Sequence, residues 1–202
     1  MLNPGEVRVW PVRLDGPTPV EWPAPSADEE LRAAAFHAEG ARERYLRAHR
    51  ALRAVLARVT DAPLHFAATE KGKPWLPAAP DLKFSLSRSD EMALIAVALD
   101  VEVGVDVERV RPIPEWEAIA ERFFPPSEAA AFAATPAAGR ERDFFRRWTR
   151  VEAMLKARGV GLHGAGAELG GDWTTLEINA CEGYAAAVAA AAGGMTVIVE
   201  AL

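Results

Sequence analysis

Glu152 is the acidic residue that surface solvation explains least well. Residues 141–158 read as a helix ended by Gly159, and the arc around Trp148 holds Phe144, Phe145, Val151 and Leu155. Glu152 falls inside that arc rather than opposite it. A carboxylate among aromatics is costly unless it is paired, hydrogen-bonded or bound to a cation. The plainer alternative is an ordinary pair with Lys156 one turn on, worth about a few tenths of a kcal/mol. A second acidic feature is Asp106-x-Glu108 on an alternating strand, with Val103, Val105 and Val107 on one face and Gly104, Asp106 and Glu108 on the other. Carboxylates two residues apart on a strand share a face, with Cα atoms roughly 6.5–7 Å apart. Both can then reach one hard cation, which takes oxygen ligands. A solvated strand face would explain them too. The third feature is Lys71-Gly72-Lys73-Pro74 followed by Phe84-Ser85-Leu86-Ser87-Arg88-Ser89. A basic Gly/Pro turn, then hydroxyls and an arginine at a strand end, suit phosphate groups. A polar turn and a strand end are the alternative.

The elements that must position these groups follow from periodicity. Val7–Leu14 reads as a strand with Pro11 at an edge or bulge, and residues 15–26 as a proline-rich loop. Residues 28–59 read as two helical pieces broken near Gly40. In the second piece Tyr45, Ala48, Leu52, Val55, Leu56 and Val59 form one stripe, flanked by Arg44 and Arg53. Strands are expected at 64–69, 83–86, 93–99 and 103–107. A helix should follow Pro114 and stop at Pro125-Pro126, with Ser127 capping a further short helix. Residues 135–139 read as a loop, and the tail as three strands at 174–180, 184–191 and 196–201. Helices followed by strands occur twice, which suggests two α+β lobes, 1–102 and 103–202.

In order, these blocks resemble the Sfp-type 4′-phosphopantetheinyl transferases. The resemblance runs from about Arg44 to Leu162 and rests on Gly72–Pro74, Phe84–Ser89, Gly-Val-Asp-Val-Glu at 104–108, Arg-Phe-Phe-x-x-x-Glu at 122–128, and Trp148–Leu162. It implies two similar lobes in pseudo-two-fold arrangement, each a small, mostly antiparallel sheet on a long helix, with the active site in the cleft between them. It implies transfer of the phosphopantetheine arm of coenzyme A to a serine of an apo carrier protein, releasing 3′,5′-ADP. By the same resemblance Asp106, Glu108 and Glu152 would hold Mg²⁺. Arg44, Lys73, Pro74, Ser87, Arg88, Asp106 and Lys156 would contact coenzyme A, and Glu152, Lys156 and Asp106 would carry the catalysis.

The chain departs from that pattern in places. Val151 stands where the family usually has lysine, and should pack rather than react. Arg88 replaces a frequent histidine and keeps its charge at every working pH. The stretch 26–31 is acidic where some members carry lysines for the 3′-phosphate, leaving Arg32 or the arginines of 42–53.

The formal charge of -6 disfavours nucleic acid as a general partner. The single Cys181 excludes a disulfide framework and suits a reducing cytoplasm. No secretory signal or apolar run long enough for a bilayer is expected, so no membrane role either. An acidic carrier protein needs a basic patch, and Arg140–Arg158 offers one, with Arg146 and Arg150 opposite the apolar arc. Two lobes in one chain would let a monomer complete the cleft. The competing readings are a non-catalytic coenzyme A or nucleotide binder on this scaffold, and an interaction domain without a ligand.

Overall fold

The computed structural model describes residues 2–162, 172–191 and 194–202. Its strands are β1 (Glu6–Arg13), β2 (Ala67–Ala68), β3 (Pro74–Trp75), β4 (Leu82–Ser89), β5 (Met92–Leu99), β6 (Val103–Arg109), β7 (Thr174–Glu177), β8 (Tyr184–Ala190) and β9 (Thr196–Val199). Its α-helices are α1 (Ala27–Ala34), α2 (Glu39–Val59), α3 (Trp116–Phe123), α4 (Pro126–Ala133) and α5 (Arg140–Arg158).

The start of α1 is fixed by a reciprocal cap. The Ser26 hydroxyl accepts the Glu29 amide and the Glu29 carboxylate accepts the Ser26 amide. The expected helix break falls at residues 35–38, so Gly40 lies in the first turn of α2. The stripe on α2 buries Ala48, Leu52, Val55 and Leu56 against Trp10 and Val12 of β1, Phe84 of β4, and Ile95 and Val97 of β5. That sheet has the order β4-β5-β1-β9, antiparallel except for β9, which runs parallel to β1. Its other face, with Val7, Val9, Leu94 and Ala96, packs on Val103, Val105 and Val107 of β6 and Val188 of β8. The second sheet, β6-β8-β7, is antiparallel and turns Ala187 and Ala189 toward Ala153, Met154 and Ala157 of α5. Helix, sheet, sheet and helix thus stack in a mixed α+β arrangement.

Gly104 permits the closest of these approaches. A Cβ there would lie 2.1 Å from the Ala153 carbonyl oxygen and 2.3 Å from the Ala157 nitrogen. At the far end of α5, Gly159 adopts φ 63°, and the amides of Gly159 and Val160 return to the Lys156 and Leu155 carbonyls.

Several expectations are corrected in detail. The strand expected over 64–69 shrinks to β2, and β3, which the pattern did not suggest, pairs with it. β4 continues past Leu86 to Ser89. α4 begins with Pro125 at the N-cap and Pro126 at the first helical position, so Ser127 is not its cap. A single 3₁₀ turn, Ala137–Gly139, occupies the expected loop. β9 lies beyond residue 102 in sequence yet pairs with β1 of the first sheet. Among the described residues no helix is long and apolar enough to cross a membrane.

Candidate active site

Two elements deliver the acidic groups, and Gly104 sets the distance between them. β6 carries Asp106 and Glu108; α5 carries Glu152 and Lys156. All four line one opening of about 400 Å³, together with Ser87, Arg88 and Trp148. Asp106 is only 2% exposed, so its face of β6 is not the solvated one that the alternative reading allowed. Its Oδ1 accepts from Ser87 Oγ at 2.7 Å and from Lys156 Nζ at 2.5 Å, and Lys156 also donates to Ser87 Oγ at 2.9 Å. Its Oδ2 is buried and has no hydrogen-bond partner among the described residues.

The electrostatics follow from crowding. Burial pushes the Asp106 carboxyl up, against the pull of Lys156 and Ser87. Burial also raises Glu108, with Ser89 opposing and Asp106 adding to the rise. Glu152 is raised by burial; Lys156 opposes, and the charges of Asp106 and Glu108 reinforce it. Three carboxylates that disfavour one another's charge, facing one ammonium, form a donor set suited to a hard divalent cation. The orphaned Oδ2 of Asp106 points the same way. As the side chains stand, no three acidic, histidine or cysteine groups among the described residues converge closely enough to hold an ion. The chemistry of the donors fits a metal; the closure around it is not formed.

A larger cleft of about 600 Å³ adjoins the opening and shares Leu86, Arg88, Glu152 and Lys156 with it. Lys73 and Pro74 of the expected set line this cleft, as does Arg32. The Lys73 ammonium, however, donates to the Ala157 carbonyl at 2.6 Å and pairs with Glu102, tying the β2–β3 hairpin to the end of α5. Arg44 lies outside both cavities, in a depression shared with Asp15, Gly16 and Arg47, although its charge reaches Arg88. The Arg88 guanidinium lies against the paired rings of Phe36 and Tyr45, at 5.3 and 5.2 Å from their centres, the rings being 5.3 Å from each other. Val151, 1% exposed, packs with Phe124, Phe144 and Leu155, as its place in the arc required.

On the outer face of α5, Arg146 pairs with Glu177 through two bonds of 2.8 and 2.9 Å. Arg150 is drawn in by Glu128 and keeps 26% of its side chain exposed, so it does not stand free in solvent as the helical projection suggested. Arg147 pairs with Glu128 and Asp143. Sequence reasoning missed the serine hydroxyls that join β4 to β6 and the aromatic pair against Arg88. The alternation of Ser85, Ser87 and Ser89 was the available signal for the first; the second had none.

The model of the 4′-phosphopantetheinyl transferase superfamily matches residues 102–189, the segment that carries all three acids and Lys156. The chain is 36% identical over 166 residues to the 4′-phosphopantetheinyl transferase HetI of Nostoc sp., covering 78% of this chain and 70% of HetI. It is 40% identical over 91 residues to the 4′-phosphopantetheinyl transferase psf-1 of Bacillus pumilus, covering 45% and 38% of the two chains. With a Bacillus subtilis 4′-phosphopantetheinyl transferase it shares 34% identity over 101 residues, 50% of this chain and 44% of the relative. A match that covers most of both chains at this identity settles the relationship: the chain belongs to the 4′-phosphopantetheinyl transferase superfamily.

Proposed function

We propose that the protein transfers the phosphopantetheine arm of coenzyme A to a serine of an apo carrier protein, as an Sfp-type enzyme dependent on Mg²⁺. The observation that carries this reading is the unpaired, buried Oδ2 of Asp106 in an opening that Glu108, Glu152 and Lys156 also line. Asp106, Glu108 and Glu152, which line that opening, would hold the ion. When bound, it would neutralise the pyrophosphate and fix its orientation.

The chain's own residues then account for the transfer. The carrier serine oxygen bonds to the phosphorus that bears the pantetheine arm, and the bond from that phosphorus to the bridging oxygen breaks, leaving 3′,5′-ADP. Glu152, pushed up by its surroundings, takes the serine proton, directly or through a water. Lys156 steadies the charge that develops on the departing ADP. Ser87 holds Asp106 and lies beside Lys156. Arg88, lying against two paired rings, and Arg32, which lines the same cleft, offer guanidinium groups to the 3′-phosphate in place of the missing lysines. Lys73 and Pro74 would bound the coenzyme from the hairpin side, and Arg44 would act on it through charge rather than contact.

The two helix-backed sheets would be the two lobes, 1–102 and 103–202, with β9 returning to the first. The carrier protein, acidic as a class, would approach the arginines of α5, acting as a monomer's partner in the cytoplasm. Because Glu128 and Glu177 already neutralise part of that face, docking must exchange or share those pairs.

The test is intact-mass spectrometry of apo carrier proteins incubated with the protein, coenzyme A and Mg²⁺. A gain of about 340 Da on the carrier, a group moved whole from its coenzyme, is expected. It should vanish with Glu152→Ala and Asp106→Ala while both variants stay folded. Coenzyme A binding without any adduct on a range of carriers would favour the non-catalytic reading instead.

A further inference from the structure

Among the described residues no strand pairs with the outer edge of β6 through its backbone, yet the amides of Val105, Val107 and Arg109 are satisfied there. Three serines of β4 supply the acceptors: Ser85 Oγ takes the Val105 amide at 3.1 Å, Ser87 Oγ the Val107 amide at 3.4 Å, and Ser89 Oγ the Arg109 amide at 3.1 Å. Both strands alternate with period two, so one register serves all three contacts. A hydroxyl whose lone pair is fixed on an amide has its single hydrogen left to donate elsewhere. Ser87 donates it to Asp106, and Ser89 donates to Glu108 Oε2 at 2.7 Å. In both cases the amide accepted belongs to the residue after the carboxylate donated to. The Ser-x-Ser of β4 thus reads the Asp-x-Glu of β6 in register, serine by carboxylate.

Ser87 also touches Lys156 and lines the opening; Ser89 does neither. Among the described residues its hydroxyl bonds only the Arg109 amide and Glu108. We propose that Ser89 is a positioning residue, which fixes the Glu108 carboxylate by engaging Oε2 and leaves Oε1 to face a ligand. Arg111, two residues beyond the end of β6, approaches the same Oε2 at 3.8 Å. Without the serine, that guanidinium is the nearest competitor for Glu108, and it draws the carboxylate toward the surface. The left-handed Asp90, φ 47°, turns the chain immediately after Ser89 and pairs with Arg109, so the serine is held at the end of a tight hairpin. This inference rests on the reading of Glu108 as a cation ligand.

The test measures ion binding directly. Mn²⁺ is titrated into the protein with coenzyme A present, and free Mn²⁺ is followed by electron paramagnetic resonance, without any turnover. Ser89→Ala should weaken Mn²⁺ binding by about 10-fold, the lower range for loss of an outer-shell partner of a metal ligand. Ser89→Thr, which keeps the hydroxyl, should recover most of that loss, and the Mg²⁺ needed for half-maximal transfer should follow the same order. In a Glu108→Ala background Ser89→Ala should add nothing, because the residue it acts through is gone. Undiminished Mn²⁺ binding by Ser89→Ala, or an equal loss in the Glu108→Ala background, overturns the proposal while leaving the metal reading intact. No Mn²⁺ binding by the unmodified protein overturns both.

Discussion

Adding one methyl group at Gly104 should separate the two elements that build the site. The Cβ of Gly104→Ala would fall about 1.3 Å short of the 3.4 Å at which ordinary contact with the Ala153 carbonyl oxygen begins, and the Ala157 nitrogen and Cα lie at 2.3 and 2.9 Å. All three are backbone atoms of α5, so no side chain can rotate away; the helix must shift as a unit by about 1 Å. Overpacking of this kind costs about 1–3 kcal/mol of stability. The functional loss should be larger in proportion, because β6 keeps Asp106 and Glu108 while α5 carries Glu152 and Lys156 away from them. A displacement of about 1 Å between groups acting on one substrate can lower the rate about 100-fold. Urea unfolding and kcat/KM for transfer to one carrier protein measure the two effects. Gly139→Ala, where a Cβ meets nothing within 4 Å, serves as the control; at the N-cap of α5 it should cost roughly 0.5–1 kcal/mol and leave the rate unchanged. Wild-type stability and a rate within about 2-fold for Gly104→Ala would refute the argument that helix and strand touch there.

Other perturbations have similarly defined outcomes. Burial would raise Glu29, but His49, Arg53 and the Ser26 amide outweigh it and hold the carboxyl at about 2 instead of 4.5. A lowered folded value gives stability that is complete above about pH 4.5 and lost as pH falls toward 2, worth on the order of 3 kcal/mol. The difference in urea midpoint between wild type and Glu29→Gln should therefore shrink across that window; a pH-independent difference contradicts it. Arg50→Ala leaves the carbonyls of Pro19, Trp22 and Pro23 without their guanidinium and should cost about 2 kcal/mol, with earlier proteolytic nicking in residues 15–26. Arg146→Glu should change stability by less than about 1 kcal/mol, since its pair with Glu177 is half exposed. The same variant should raise the apparent KM for carrier protein at low salt, and an unchanged KM removes α5 from the docking surface.

Local pattern carried the sequence reading as far as local pattern determines structure. The stripe on α2, the arc on α5 and its Gly159 stop were legible because helix periodicity and caps are properties of short windows. So was the shared face of Asp106 and Glu108. What the window does not contain is the partner. Asp106 is buried because α5 closes over β6 at Gly104, a contact between residues about 50 positions apart in the chain. The turn chemistry of Lys73 suits a phosphate, and the window does not contain the carboxylate and helix-end carbonyl that hold its ammonium in this structure. Arg150 projects outward on a helical wheel, and the positions of Glu128 on α4 and Glu177 on β7 explain why it does not stand free. β9 has four residues and no feature that selects β1 over β8 as its neighbour. The serine alternation on β4 is visible, and its meaning depends on an edge of β6 that no strand pairs among the described residues.

The claim that everything else serves is that β6 and α5 share one cation. A crystal of the protein grown with coenzyme A and Mn²⁺, measured for anomalous scattering, addresses it directly. The account predicts one strong manganese peak in contact with Asp106, Glu108, Glu152 and the pyrophosphate. A peak that Glu152 does not touch, or none at the acids while phosphopantetheine transfer proceeds in the same buffer, would contradict it.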